Sequence, residues 1–389
     1  MKGNILKLYI IQAIRWAMFF IPTFVLFFLD NGLNMKEVLL LQSIFSFAII
    51  IFEVPSGYIS DKLGRKNTIV AGSIISFLGA ISYFYGTGFY GFLLAEVLFG
   101  IGASFVSGAD SALLYDSLKS IQQENTYKAK AGIVDSIGNF SESIASIIGG
   151  FIAIYTIRGT FLAYAALLFI AIFVALSLKE PAQDSNPESK QNTILDLLKI
   201  VKYSLHDHKE IAGLILYIGL LNASTLTMVF FIQPYFQLVN LPLEFFGIAW
   251  AVLNFSVGIF ALNAWRYEQY LGRTKSLISL IFISVLGYLT MGIFNQLWAL
   301  GFIFLFYFSR GISGPIINDY VNIKIESSIR ATVLSVKSMI GRIIFAVISP
   351  FIGYISDIYS LQTAFLFSAG FFFIGGVLSL LYLKKHQAL

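Results

Sequence analysis

Long apolar runs separated by short polar turns dominate the pattern of this chain. A membrane-spanning helix needs about 20 mostly apolar residues, and twelve runs reach that length. The pattern therefore predicts an all-α membrane protein with twelve transmembrane helices, called spans 1 to 12 in chain order. The predicted spans cover residues 7–29, 37–60, 67–87, 90–116, 131–155, 159–179, 209–237, 243–268, 274–294, 296–322, 330–356 and 361–383.

Composition supports lipid as the solvent for most of this surface. The chain has 389 residues, of which 57% are hydrophobic and only 12% are charged, whereas soluble domains carry about 25% charged residues. Its net charge of +5 lies in the short turns rather than on one surface, which argues against a nucleic-acid partner. The absence of Cys, of a phosphate-binding glycine loop and of any nucleophile–base pair predicts no metal, no cofactor and no enzymatic activity.

The placement of Lys and Arg predicts the orientation. An even number of spans puts both termini on one side, and nearly all loop cations fall on that side. Lys36 and Arg158 are the exceptions on the opposite side. Because cytoplasmic loops carry the excess of Lys and Arg, we expect both termini in the cytoplasm and a multi-pass protein of the bacterial cytoplasmic (inner) membrane.

The longest loop divides the chain into two groups of six spans. It predicts an N-terminal six-helix bundle over 1–179, a linker over 180–208 and a C-terminal six-helix bundle over 209–389. The linker either lies along the membrane surface as an amphipathic helix or acts as a flexible tether. Its apolar helical face would contain Ile194, Leu197, Leu198, Val201 and Leu205.

Short matches between the two halves indicate an internal repeat. Each match is weak alone, but together with the central loop they predict two related six-helix bundles. The matches are Leu63-Gly64-Arg65 with Leu271-Gly272-Arg273, Gly100 with Gly311, and Gly138 with Gly341.

The charged turn between spans 2 and 3 carries the most specific pattern, Gly57-x-x-x-Asp61-Lys62-x-Gly64-Arg65-Lys66. It resembles the signature loop of the major facilitator superfamily, and the resemblance extends over the whole chain. It implies a secondary transporter in which contacts of this loop latch the two bundles. We expect Asp61 to cap the first turn of span 11 and Arg65 to pair with Asp116. The implied latch residues are Gly57, Asp61, Gly64, Arg65, Lys66 and Asp116.

Acidic residues inside the predicted spans are candidates for proton coupling. An ionisable group at membrane depth is costly and is a functional hypothesis by default, and a carboxylate kept from bulk water can take up and release a proton. The alternative for each is a permanent ion pair. The candidates are Asp110 and Glu142, followed by Glu96 and Glu53.

Basic and amide side chains in the spans are candidates for substrate binding. Arg310 cannot lose its proton, so it must bind an anionic group, hold a carboxylate or change partners. Glu53 could instead form a structural pair with Lys337 or Arg342. The substrate-binding candidates are Arg15, Arg310, Arg342, Asn222 and Gln233. Aromatic residues that either pack or line a cavity are Trp16, Tyr217, Phe230, Phe231, Tyr235 and Tyr307.

These features favour a monomeric secondary active transporter that exports a small amphipathic molecule, a drug or metabolite, in exchange for protons. Its partners would be that molecule, the protons and the lipid bilayer. Two departures from the family pattern count against a standard drug antiporter: Glu96 stands where efflux members often carry Arg, and span 5 lacks a Gly-Pro element. The alternatives are an importer of a small anionic solute and, in another class, a receptor that transports nothing.

Overall fold

The computed structural model describes residues 1–181, 201–325 and 330–386, and these are helical over most of their length. Twelve segments among them are long and apolar enough to cross a membrane, which confirms the predicted fold class. The helices are α1 Lys2–Trp16, α2 Phe24–Asp30, α3 Met35–Leu63, α4 Arg65–Tyr85, α5 Gly88–Val106, α6 Ala109–Lys119, α7 Tyr127–Tyr155, α8 Ile157–Leu176, α9 Lys209–Leu238, α10 Phe246–Leu262, α11 Ala264–Leu271, α12 Arg273–Ile293, α13 Ile303–Lys324, α14 Arg330–Ile358 and α15 Leu361–Lys385.

Most spans consist of one helix, but spans 1 and 4 are each broken into two, and predicted span 8 is interrupted where α10 ends at Leu262 and α11 begins at Ala264. Span 1 contains α1 and α2, separated by non-helical residues and a short 3-10 turn. Pro22 lies in that turn, and proline disrupts a continuous helix because it lacks an N–H and its ring crowds the preceding turn. Span 4 contains α5 and α6, separated by Ser107 and Gly108, and Gly108 has a φ of +82°. The apolar pattern predicts spans 1 and 4 as continuous helices, so these two breaks are corrections to that prediction.

The chain forms two compact units, and each unit includes one short segment from the other half of the sequence. Unit 1 comprises the described parts of Met1–Leu33, Ile44–Thr193 and Leu243–Ala251. Unit 2 comprises those of Asn34–Ser43, Ile194–Pro242 and Val252–Leu389. The start of α3 therefore packs within unit 2, and the start of α10 packs within unit 1.

The core of unit 1 contains a dense aromatic cluster. Phe20 stacks on Phe161 with ring centroids 4.7 Å apart, and Tyr83 stacks on Phe161 at 4.8 Å. Close packing of this kind holds membrane helices together, because lipid tails are as apolar as the side chains and the hydrophobic effect contributes little. The cluster joins α2, α4, α5 and α8 through Phe24, Phe27, Phe28, Tyr83, Phe92 and Phe161.

The core of unit 2 uses tyrosine hydroxyls as well as ring packing. Tyr217 donates to the Leu277 carbonyl at 2.7 Å, and Tyr235 donates to the Phe294 carbonyl at 2.8 Å. Tyr217, Phe231 and Tyr235 are fully buried. These aromatic residues therefore pack α9 against its neighbours rather than line a cavity.

The matched glycines of the two halves occupy equivalent positions. A Cβ on Gly100 in span 4 would lie 2.6 Å from Ala48 Cβ in span 2. A Cβ on Gly311 in span 10 would lie 2.7 Å from the Val257 carbonyl oxygen in span 8. Each glycine thus allows the fourth span of its half to touch the second.

The third glycine match shows the same equivalence. A Cβ on Gly138 in span 5 would lie 3.0 Å from Trp16 in span 1. A Cβ on Gly341 in span 11 would lie 3.5 Å from Asn222 in span 7. The fifth span of each half therefore packs on the first, as two copies of one bundle require.

Candidate functional site

The signature turn is a sharp corner between two helices. α3 ends at Leu63 and α4 begins at Arg65, with Gly64 between them at a φ of +94°. That left-handed conformation is strained for any residue with a Cβ. The corner brings the backbone N–H groups at the start of α4 to the predicted cytoplasmic side.

Arg65 fastens this corner to α6. Its Nη1 donates to the Ala112 carbonyl at 2.7 Å and forms an ion pair with the Asp116 carboxylate. The Arg65 and Asp116 side chains are 20% and 21% exposed, so water screens the pair only partly. The expected contact is present within unit 1, whereas its role as a latch stays a prediction.

Glu180 caps the helix that follows the turn, which the sequence analysis did not foresee. Its two carboxylate oxygens accept the N–H groups of Arg65 and Lys66, both at 2.8 Å. A negative charge there is favourable because the N-terminus of a helix carries a partial positive charge. Glu180 also closes the space at Gly64, where a Cβ would lie 3.0 Å from the carboxyl carbon.

The remaining latch candidates are exposed or reach beyond the described residues. Gly57 and Asp61 are both exposed. The expected partner of Asp61, the first turn of span 11, adjoins residues 326–329, which lie outside the described residues. The capping role of Asp61 therefore stays a prediction, as does the amphipathic face of the linker, whose residues 194–198 also lie outside them.

Arg15 and Asp110 form an ion pair inside unit 1. Arg15 Nη1 lies 3.0 Å from Asp110 Oδ2, and the two side chains are 24% and 22% exposed. Asp110 Oδ1 also accepts the backbone N–H of Ser111 at 2.6 Å and its hydroxyl at 3.2 Å. The Tyr164 hydroxyl donates to the Arg15 carbonyl at 2.9 Å. This pair joins a substrate-binding candidate to a proton-coupling candidate.

Both members of the pair lie at the breaks in their spans. Arg15 is in the last turn of α1, and Asp110 is in the first turn of α6. A cation is stabilised at a helix C-terminus and an anion at a helix N-terminus. Broken helices of this kind supply the binding groups in many transporters, because their freed ends can face ions and substrates.

A small cavity of about 50 Å³ lies beside this pair. Its polar lining comes from Gln12 of α1, Asp110 and Ser111 of α6, and Asp135 of α7. Sequence reasoning missed Asp135, although an acid six residues inside the apolar segment Ala129–Tyr155 was a signal of the same kind as Glu142. The structure brings Asp110 and Asp135 to one cavity.

The other acidic candidates of unit 1 lie apart in different surroundings. Glu96 is 2% exposed in α5, beside the buried Tyr83. Glu142 Oε1 accepts the indole N–H of Trp250 at 3.3 Å. Glu53 is exposed on α3. Glu142 thus helps to hold the segment of span 8 that belongs to unit 1.

The candidates of unit 2 are cations and amides. Arg310 is exposed near the middle of span 10, and Arg342 is half-buried in α14. Gln233 is 2% exposed. Asn222 lies next to Gly341. An exposed guanidinium at this depth is costly against hydrocarbon. Lys337 donates to the Asn318 side chain.

A second carboxylate caps a helix at the predicted outer side. Asp357 of α14 accepts the N–H groups of Met35 at 2.9 Å and Lys36 at 2.8 Å. The Lys36 ammonium lies 5.5 Å from the centre of the Tyr354 ring. These contacts hold the start of α3 within unit 2, and the sequence analysis did not foresee them.

A wider apolar cavity of about 240 Å³ opens at the break in span 1. Its lining includes Ala17 and Phe19 at the break, Ile144 and Ile148 of α7, and Ser141 as a polar group. The site region therefore contains a small cavity with two carboxylates in its lining, large enough for water, and a wider apolar one large enough for a small organic group.

Solved transporters share this fold. The nucleoside transporter NupG matches with a TM-score of 0.83 at 15% identity, covering 99% of this chain and 100% of that chain. A D-xylose-proton symporter matches with a TM-score of 0.72 at 14% identity, covering 98% and 96%. At such identities the likeness shows the fold alone.

Sequence relatives are bacterial. YxaM of Bacillus subtilis (strain 168), an uncharacterized MFS-type transporter, is 24% identical over 367 residues, covering 91% of this chain and 89% of the relative. An uncharacterized transporter of Buchnera aphidicola subsp. Schizaphis graminum (strain Sg) is 29% identical over 235 residues, covering 58% and 56%. Quinolone resistance protein NorA of Staphylococcus aureus (strain MSSA476) is 26% identical over 206 residues, covering 53% and 52%. The chain thus matches about half the length of the last two.

A family model settles the classification. The model of the Major Facilitator Superfamily matches residues 8–349, which is most of the chain. The match includes the signature turn, both broken spans and the larger part of unit 2. Together with the transporter relatives, it places the protein among membrane transporters rather than enzymes. The chain belongs to the Major Facilitator Superfamily.

Proposed function

We propose that the protein is a secondary active transporter that exports a small amphipathic molecule in exchange for protons. The observation that carries this proposal is the Arg15–Asp110 ion pair at the breaks of spans 1 and 4. A charge pair at membrane depth is energetically costly, so we expect it to serve a function. Binding and releasing a proton next to a fixed cation is such a function.

The proposed cargo follows from the cavity and from one relative. The apolar cavity at the break of span 1 offers about 240 Å³ and little polar surface, which suits an apolar group rather than a sugar. NorA is named for resistance to quinolones. A membrane transporter can provide resistance by moving the toxic molecule out of the cell, which supports export as the direction here.

The transport cycle would be alternating access by two halves, 1–179 and 209–389, joined by the linker 180–208. In this proposal Gly57, Asp61, Gly64, Arg65, Lys66 and Asp116 form the cytoplasmic latch. Asp357 would be its counterpart at the outer end of α14, where it already caps α3. Asp357 would release α3 when the cytoplasmic latch closes, and the latch would open when the outer end closes.

The setting of the proposal is the bacterial cytoplasmic membrane, with both termini in the cytoplasm and the monomer as the working unit. The loop cations support this orientation, because the side predicted to be cytoplasmic carries nearly all of them. Asp110, Glu142, Glu96 and Glu53 are the coupling candidates that the sequence offers, and the cavity beside Asp110 adds Asp135 to them.

Flux across liposomes with a pH gradient tests the proposal. Purified protein is reconstituted with the pH dye pyranine inside, and ethidium, an amphipathic cation, is added outside. With an acidic lumen, exchange should carry ethidium in and protons out, so the lumen becomes less acidic. Asp110→Asn should reduce this coupled movement at least tenfold. Ethidium uptake with no change in lumen pH would contradict proton exchange.

The importer reading is favoured by one observation, the exposed Arg310 in span 10. A guanidinium there could bind a carboxylate or phosphate ester. The same liposomes separate the two readings, because proton symport acidifies the lumen when substrate enters, whereas exchange does the opposite. A panel of small carboxylates and phosphate esters is the probe. A receptor would bind a probe and move none of them.

A further inference from the structure

Asp135 of α7 is an acid inside span 5 that the sequence did not single out. It lines the cavity of about 50 Å³ together with Asp110 and Gln12. Among the residues that the structure describes, its carboxylate makes no ion pair and no hydrogen bond. The side chain is exposed, and a carboxylate in an apolar segment has to face water rather than lipid.

Asp110 has the opposite surroundings. Arg15 neutralises it at 3.0 Å, and two donors of Ser111 bind its other oxygen. The N-terminus of α6 adds a favourable field. Both carboxylate oxygens of Asp110 are therefore occupied by these contacts while the pair is intact.

The charge that lies beside Asp135 is a like charge, that of Asp110. Across the cavity Asp135 faces Gln12 from α1, and Asp110 and Ser111 from α6. From α8, the Tyr164 hydroxyl donates to the Arg15 carbonyl. Arg15 is already committed to Asp110, and the charge of Asp110 repels that of Asp135. Two carboxylates beside one arginine leave one negative charge, and a proton on Asp135 removes it.

The size of the cavity selects the ligand. A water molecule needs a cavity of about 10–15 Å³ on this measure, so about 50 Å³ holds a few waters. That is enough for a proton to arrive and leave through water. A drug-sized cation requires several hundred Å³, which this space does not provide.

We propose that Asp135 is the proton-binding carboxylate of this transporter, and that the Arg15–Asp110 pair is its fixed electrostatic partner. A proton from cavity water binds a carboxylate oxygen of Asp135 to give the neutral acid, and it returns to water on release. Asp110 keeps its contact with Arg15 throughout. The use of this proton for coupling rests on the proposed function, whereas proton binding itself does not.

Infrared difference spectroscopy tests proton binding without any substrate. Lipid-reconstituted protein is stepped from alkaline to acidic pH, and the C=O stretching band of a newly protonated carboxylic acid is recorded. Wild type should show an intramembrane carboxylic acid band. Asp135→Asn should remove it, whereas Asp135→Glu should retain a shifted band. Asp207→Asn is the matched control, because Asp207 is an exposed acid outside the spans and its loss should leave the band unchanged.

Asp110→Asn distinguishes the two carboxylates. It leaves Asp135 in place, so the carboxylic acid band should persist in this variant. A band that survives in Asp135→Asn but disappears in Asp110→Asn would overturn the proposal, and so would the absence of any titrating band. Size-exclusion profiles verify that each variant is folded.

Ethidium-driven proton movement in the same liposomes completes the test. If Asp135→Asn loses the band and the coupling, both proposals stand. If wild type shows the band but moves no ethidium or protons, the proposed exchange fails while the proton-binding assignment holds. If Asp135→Asn keeps full coupling, the coupled proton is carried elsewhere and the inference is wrong.

Discussion

The two copies of the signature turn share a backbone and differ in their chemistry. Gly64 and Gly272 both have positive φ, +94° and +74°, and each precedes a long helix. In the first copy Arg65 pairs with Asp116. In the second copy the Arg273 guanidinium lies 4.1 Å from the centre of the Tyr320 ring. The shape of the corner is kept in both halves, while Arg65 meets a carboxylate and Arg273 meets an aromatic ring.

The positions of the helix breaks also differ between the two halves. Spans 1 and 4 are broken at Arg15 and Asp110. Span 7, the counterpart of span 1, is a single helix, Lys209–Leu238, that continues through Pro234. The glycine contacts between spans are equivalent in the two halves. The two halves thus share their close packing and differ in where their helices break. Span 8 is interrupted at Asn263, whereas its counterpart, span 2, is the single helix α3.

The largest expected effect tests the shared packing. Gly100→Ala and Gly311→Ala should each destabilise the protein by about 1–3 kcal/mol, because the added Cβ overpacks a helix contact. A Cβ at these positions would lie 2.6 Å and 2.7 Å from its neighbours. The measurement is the apparent melting temperature in detergent, which should fall by a similar amount in both variants.

Two other glycines provide the control for that experiment. A Cβ on Gly258 or Gly370 meets nothing within 4 Å, and both positions are helical. Alanine there should be neutral or stabilising by up to about 1 kcal/mol, since Gly is a poor helix former. If the apparent melting temperature falls in only one of Gly100→Ala and Gly311→Ala, the two halves are not packed equivalently.

The sequence predicted the parts of the molecule that depend on local pattern. Apolar runs specify spans because lipid tolerates little else, and the matched glycines specify close contacts at fixed positions along each helix. Arg65 and Asp116 could be paired because the family resemblance places their spans together. These predictions needed no knowledge of side-chain direction.

The parts that the sequence did not predict depend on distant residues meeting. Glu180 is 115 positions from Arg65, and Asp357 is 322 positions from Met35. No pattern marks an acid as the cap of a helix so far away. The breaks at Ala17 and Gly108 were missed because the flanking residues are apolar enough to read as one span. Asp135 became a candidate only when α7 was seen to share a cavity with Asp110.

The next expected effect sharpens the contrast between the turns. Glu180→Ala removes the two hydrogen bonds that cap α4 and should cost about 1 kcal/mol, as loss of a helix cap usually does. Amide hydrogen exchange at Arg65 and Lys66 should accelerate, while exchange at the start of α12 should not change. Glu124→Ala is the matched control, because Glu124 is an exposed acid in a short turn. Unchanged exchange at Arg65 and Lys66 would show that the cap contributes nothing.

The smallest expected effect compares the two arginines. A double-mutant cycle over Arg65→Gln and Asp116→Asn should give a coupling free energy of about 0.2–1 kcal/mol, as for a partly exposed ion pair. The cycle over Arg273→Gln and Tyr320→Leu should give about 0.5–1 kcal/mol for a cation over an aromatic ring. Raising the salt to about 1 M shortens the screening length to about 3 Å, which weakens an ion pair more than a ring contact. Apparent melting temperatures at low and high salt measure both cycles. If salt reduces the two couplings equally, the turns do not differ in the kind of interaction that holds them, and the contrast between the halves is limited to the helix breaks.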